Sequence, residues 1–121
     1  MAERYDVIII GAGPAGIFAA REICRNSSAK VLLLEKGRLV DKRNCPVSEG
    51  ATSCIHCQPC SIMSGWGGAG AFSDGKLTLT TEFGGWLSDY IGKEQLADLI
   101  DYVDKVYLQH GAPETVYGQN E

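Results

Sequence analysis

An α/β fold that opens on a parallel βαβ unit is predicted by three observations. Residues 5–10 form a short apolar run rich in β-branched side chains, Val7, Ile8, Ile9 and Ile10. A glycine-rich turn follows at once and leads into a segment of helical length that carries Ala19 and Ala20. A second apolar run, residues 30–34, closes on Glu35. Continuous hydrophobicity without alternation suits strands buried on both faces of a parallel sheet. A helix that joins two such strands crosses over right-handed.

Each element has a local reason. Pro14 fits the first helical turn, where its missing N–H costs nothing. The helix over residues 17–24 ends at Asn26, Ser27 and Ser28. Residues 36–76 show no regular pattern. A stretch of roughly forty residues is far above the usual connection length, so it is either functional or tied down by something. Residues 77–81 alternate apolar side chains with Thr and read as a strand. Residues 93–110 read as a helix, with Leu96, Leu99, Ile100, Val103, Val106 and Tyr107 on one face and Asp98, Asp101, Asp104 and Lys105 on the other. Gly111 and Pro113 terminate it. Among single residues, Cys24 reads as a small buried hydrophobe, Trp66 and Trp86 as packing residues, and His110 as a complement to the dipole of the last helix. Two or three strands and two helices do not close a doubly wound sheet with both faces covered. Residues 1–121 are therefore expected to be the N-terminal piece of an incomplete domain.

Composition excludes several classes. The 121 residues are 45% hydrophobic and 21% charged, which fits a globular chain and not a disordered or fibrous one. Asp and Glu number 15 against 11 Lys and Arg, so the net charge of −4 argues against nucleic-acid binding through a bulk positive field. The most apolar stretch, residues 7–20, is broken by Gly11, Gly13, Pro14 and Gly16 and falls short of the ~20 residues that a membrane span needs. Glu3 and Asp6 stand where an export signal would carry basic residues. The cysteines number five, four of them within residues 45–60. Without an export signal, that clustering points to a reducing cytoplasm and to metal or redox chemistry before a disulfide framework.

Gly11-x-Gly13-x-x-Gly16, directly after an apolar strand and opening a helix, is the dinucleotide-binding fingerprint in its required context. Gly11 permits the tight turn, Gly13 lets a pyrophosphate approach the backbone, and Gly16 lets helix and strand pack closely. Pro14 and Ala15 complete the turn as candidate cofactor contacts. Helix N-terminal amides favour the phosphates. Glu35, nineteen residues after Gly16, stands where a carboxylate accepts hydrogen bonds from an adenosine ribose and repels a 2′-phosphate. These features make the fold Rossmann-like.

GAGPAG, Ala20, LLLEKG, the later SGWGGAGAFSDGKL and the following TTEFGGW together resemble an uncharacterised family of FAD-dependent dehydrogenases of the glutathione-reductase-like flavoprotein class. The chain matches the N-terminal portion of that longer family. The resemblance implies non-covalent FAD with its ADP half at Gly11, Gly13, Gly16 and Glu35. Beside it, the second glycine patch places Gly67, Gly68, Ala69 and Gly70 near the flavin or pyrophosphate, since glycines let backbone lie against a ring or form an anion nest. Ser73, Asp74 and Lys76 are candidates for polar contacts to the ring edge or substrate, set against a plain turn at Asp74 and Gly75. Of Lys36, Arg38, Lys42 and Arg43, one could reach the pyrophosphate, Lys36 being the candidate nearest Glu35, and the others read as a solvated loop.

Cys45, Cys54, Cys57 and Cys60 form a second motif. Two residues between cysteines let one turn of backbone aim both sulfurs at a single centre. Three readings stand side by side: an iron–sulfur cluster, a zinc site in which His56 could replace one thiolate, or free thiols with a redox-active pair. A bound metal would also explain how the long irregular segment stays ordered.

Two functions follow. One is an FAD-dependent oxidoreductase that passes hydride or electrons between a small-molecule substrate or electron carrier and the flavin, with NAD(P) as a possible donor or acceptor. The other is a non-catalytic adenine-nucleotide-binding or zinc-stabilised module. No general acid or base is assigned, and substrate and oligomeric state are not legible.

Overall fold

The first apolar run forms strand β1, Val7–Ile10, and the second forms strand β2, Val31–Leu34. They pair in parallel, with Val7 opposite Val31 and Ile10 opposite Leu34. Main-chain bonds continue the pairing at both ends, from the Asp6 N–H to the Lys30 carbonyl at 2.9 Å and from the Gly11 N–H to the Leu34 carbonyl at 2.7 Å. Between the strands runs helix α1, Pro14–Asn26, with proline in its first turn and Gly13 as its extended N-cap. Its end is set as the sequence suggests: the Ser27 hydroxyl donates to the Ile23 carbonyl at 2.7 Å and the Asn26 amide to the Glu22 carbonyl at 2.9 Å. The βαβ unit is thus present, and the predicted strand and helix limits hold to within a few residues.

This computed structural model describes residues 3–116, which fall into two compact units, Met1–Asp74 and Gly75–Glu121. In the first unit, α1 packs on the two-stranded sheet. Among the described residues, only one sheet face is covered. Val7 and Ile9 are half-buried, whereas Ile8 is 57% and Ile10 87% exposed. The expectation of strands buried on both faces is therefore not met among the described residues. The long segment after β2 carries two short 3₁₀ turns, Val40–Lys42 and Gly68–Phe72, and a bridge that pairs Arg38 in parallel with Gly65.

In the second unit, helix α2, Leu87–Ile91, is followed by helix α3, Lys93–Gln109, with Gly92 at φ +80° between them. Val106 is buried on α3, and Leu96, Ile100, Val103 and Tyr107 are half-buried. His110 ends α3, its Nδ1 2.8 Å from the Val106 carbonyl. A carbonyl only accepts, so the imidazole donates and satisfies one of the last-turn acceptors. The exposed Lys93–Glu82 and Lys105–Asp101 pairs add little to stability.

Three sequence expectations are corrected. Residues 77–81 form no strand: their run is short, and no neighbouring edge among the described residues pairs with it. Cys24 is exposed although it shares the face of α1 that carries half-buried Ile17 and Ala20, because it stands in the last turn of the helix, where that face has run past its cover. Trp86 is 79% exposed ahead of the five-residue α2, so it does not serve as a packing residue here. No helix among the described residues is long and apolar enough to cross a membrane.

Candidate dinucleotide-binding site

The turn from β1 into α1 is closed by the absence of side chains. Gly11 stands at φ +102°, a conformation that L side chains rarely adopt. A Cβ on Gly16 would lie 1.9 Å from the Gly11 carbonyl oxygen, so only glycine lets the first helical turn sit over the strand end. Gly13 differs: a Cβ there would meet nothing within 4 Å. Gly16 is thus required by the protein's own packing, whereas Gly13 leaves open space in front of the helix N-terminus. No side chain caps that terminus, and its first-turn amides and partial positive charge suit an anion.

Glu35 grips this turn. Its Oε2 accepts from the Ala12 N–H at 2.7 Å and its Oε1 accepts from the Gly37 N–H at 2.8 Å. These bonds, Ala12 first and Gly37 second, hold the carboxyl below the usual carboxylate range. The residue expected to meet a ribose therefore also clamps the backbone beside it. The Gly65 N–H adds a third, weaker contribution, and the lone pairs left over keep capacity for a sugar hydroxyl. Lys36 beside it is exposed.

The structure brings the two glycine patches together. The Gly67 N–H donates to the carbonyl of fully buried Ala12 at 2.8 Å. Gly68, at φ +60°, lies so close to the first turn that an added Cβ would be 3.2 Å from the Gly13 Cα and 3.4 Å from the Pro14 Cδ. Gly70 approaches the Pro14 ring less closely, and Ala69 is exposed. Pro14 and Ala15 are exposed at the start of α1. Residues 67–70 therefore form a second wall beside the turn from β1 into α1.

Arg43 holds that wall, a role sequence reasoning missed. It is 3% exposed. Its Nε donates to the Ser61 carbonyl at 2.8 Å, one terminal nitrogen donates to Trp66 and Gly68 at 2.7 and 2.8 Å, and the other donates to Ile62 at 2.6 Å. The guanidinium carbon stands 4.7 Å from the centroid of the Phe72 ring. Only Gly fits at position 65, since an added Cβ would lie 2.6 Å from both the Arg38 carbonyl oxygen and the Arg43 Cδ. Arg43 is therefore neither part of a solvated loop nor directed at a ligand. Lys36, Arg38 and Lys42 are the exposed members of the basic set.

Ser73 and Asp74 are exposed at the end of the first unit, and Lys76 belongs to the second. Gly75 stands at φ +77°, but residues 74–79 form neither turn nor bend, so the plain turn at Asp74 and Gly75 is not found. All five cysteines carry free thiols. No three Cys, His, Asp or Glu side chains among the described residues converge as metal ligands, so Cys45, Cys54, Cys57 and Cys60 are not gathered at one centre. The Cys60 thiol is drawn down by main-chain N–H donors of Met63 and Ile62, with a smaller contribution from the Arg43 charge.

Residues 5–105 match the family model of the pyridine nucleotide-disulphide oxidoreductases. The chain belongs to this oxidoreductase family. Its fold is accordingly a Rossmann-like FAD- or NAD-binding one, in agreement with the parallel βαβ unit. An uncharacterized protein of Clostridium beijerinckii is 44% identical over 71 residues, which are 59% of this chain and 13% of that protein. Digeranylgeranylglycerophospholipid reductase 3 of Methanosphaera stadtmanae is 36% identical over 59 residues, 47% of this chain and 15% of the reductase. The matches to these curated relatives thus span about a seventh of their length. No solved structure gives a significant match.

Proposed function

We propose that this chain is the ADP-binding portion of an FAD-dependent oxidoreductase, and that residues 1–121 are part of a larger Rossmann-like domain akin to the FAD-dependent dehydrogenases it resembles. The observation that carries this reading is the pairing of a closed position at Gly16 with an open one at Gly13, at an uncapped helix N-terminus. The first-turn amides receive the pyrophosphate, and Gly13 leaves room for it. Glu35 accepts from the adenosine ribose with the lone-pair capacity that Ala12, Gly37 and Gly65 leave. Gly67, Gly68, Ala69 and Gly70 bound the same space. Bound FAD supplies the hydride-accepting chemistry, with NAD(P) or an electron carrier as partner and a small molecule as substrate. The reductase name of the archaeal relative supports a redox role. The bare Ile8 and Ile10 face supports the domain reading, since further strands and helices of a doubly wound sheet would cover it.

The test is a titration of the 121-residue chain with FAD, ADP and NADP⁺, followed by calorimetry. The expected result is that FAD and ADP bind and compete, and that NADP⁺ binds more weakly because its 2′-phosphate meets Glu35. A chain that binds none of the three overturns the reading.

A further inference from the structure

Arg43 is a buried cation whose hydrogen bonds among the described residues all go to main-chain carbonyls, none to a carboxylate. Carbonyl dipoles solvate such a charge without cancelling it. A buried charge without a counter-ion is costly and is retained where something opposite in sign completes it. One residue separates this guanidinium from the phosphate turn. Gly68 accepts from Arg43 through its carbonyl at 2.8 Å, and its other side abuts the Gly13 Cα. Gly67, next in line, bonds to the Ala12 carbonyl.

We propose that Arg43 is a positioning residue of the dinucleotide site, which fixes residues 65–70 against the turn and whose buried charge, acting from behind Gly68, favours a diphosphate-bearing ligand over its uncharged nucleoside. This deepens the reading of the site given above and rests on it. Arg43 does not touch the ligand, because its donors are spent on the carbonyl cage. The charge acts across protein, where screening is weak. For fixing the loop Arg suits better than Lys, since a planar fork reaches four carbonyls at once, whereas either side chain supplies the charge.

The experiment measures ADP and adenosine binding to the wild-type chain, Arg43→Met and Arg43→Lys, with circular dichroism to establish that each is folded. The readout is the ratio of the two affinities, which a merely structural role leaves unchanged. The expected result is a ratio reduced about ten-fold in Arg43→Met and largely restored in Arg43→Lys. Equal losses for both ligands in both variants would overturn the inference. Should Arg43→Met fail to fold, the wild type still decides: its preference for ADP persists from about 0.05 to 0.5 M KCl if a buried charge supports it. A preference that fades with salt assigns it to exposed Lys36 or Arg38 and overturns the inference. If the wild type binds neither ligand, the dinucleotide reading itself falls. If it binds both and the ratio does not move, only the role of Arg43 falls.

Discussion

Two glycine-rich turns face each other in the first unit and are fixed by different means. Residues 11–16 are held from their ends, by a strand ladder before and a helix after, with the Glu35 carboxylate across the middle. Residues 65–70 have a single-pair bridge and a short 3₁₀ turn, and are held from inside by one guanidinium. The first arrangement spreads its stability over many main-chain bonds. The second concentrates it in one side chain. Damage to either turn should therefore look different, and the contrast can be tested in order of expected size.

Gly16→Ala strikes the distributed turn at its tightest point. The new methyl would overlap the Gly11 carbonyl, which as backbone cannot swing away, so a loss of about 3 kcal/mol in urea unfolding is expected, with ADP binding abolished. Arg43→Met is expected to cost about 2 kcal/mol through the loss of charge-assisted bonds to buried carbonyls. Its signature should be local: faster proteolysis within residues 43–74, with amide-exchange protection of β1 and β2 retained. Loss of protection in both places would show that the two turns are not held separately.

Glu35→Gln should cost about 1 kcal/mol, since an amide keeps one acceptor oxygen and loses the N–H contact made to the other. The pH response gives its sign. The Glu35 carboxyl is held low in the folded chain, so its contribution is complete above the unfolded value of about 4.3 and is lost as pH falls through the folded value. The thermal midpoint of the wild type should then fall on acidification more steeply than that of Glu35→Gln. Cys54→Ser is expected to change stability by less than about 0.5 kcal/mol, because the thiol is exposed. A larger loss would show that the cysteine segment contributes to holding residues 65–70.

The same contrast explains what could be read from the sequence. The βαβ unit was legible because its signals are local: β-branched runs, Pro14 at a helix start, glycines at fixed offsets and an acid after β2. The second glycine patch was legible as a feature but not as a geometry. Arg43 left no trace, since its acceptors are main-chain carbonyls 18 to 25 residues downstream, and every residue type carries a carbonyl. The cysteine spacing invited a metal as the device that orders the long segment, and a buried arginine supplies another such device. Residues 77–81 misled because alternation over five positions does not make a strand without a partner edge. Cys24 and Trp86 misled because residue type predicts burial only where there is something to pack against.

Because the Arg43 cage is built of carbonyl oxygens, Ser61, Ile62 and Trp66 can each be exchanged without removing an acceptor. Mutational tolerance around this centre is therefore lopsided: the surrounding letters are free to drift, while a single codon carries the constraint for all of them.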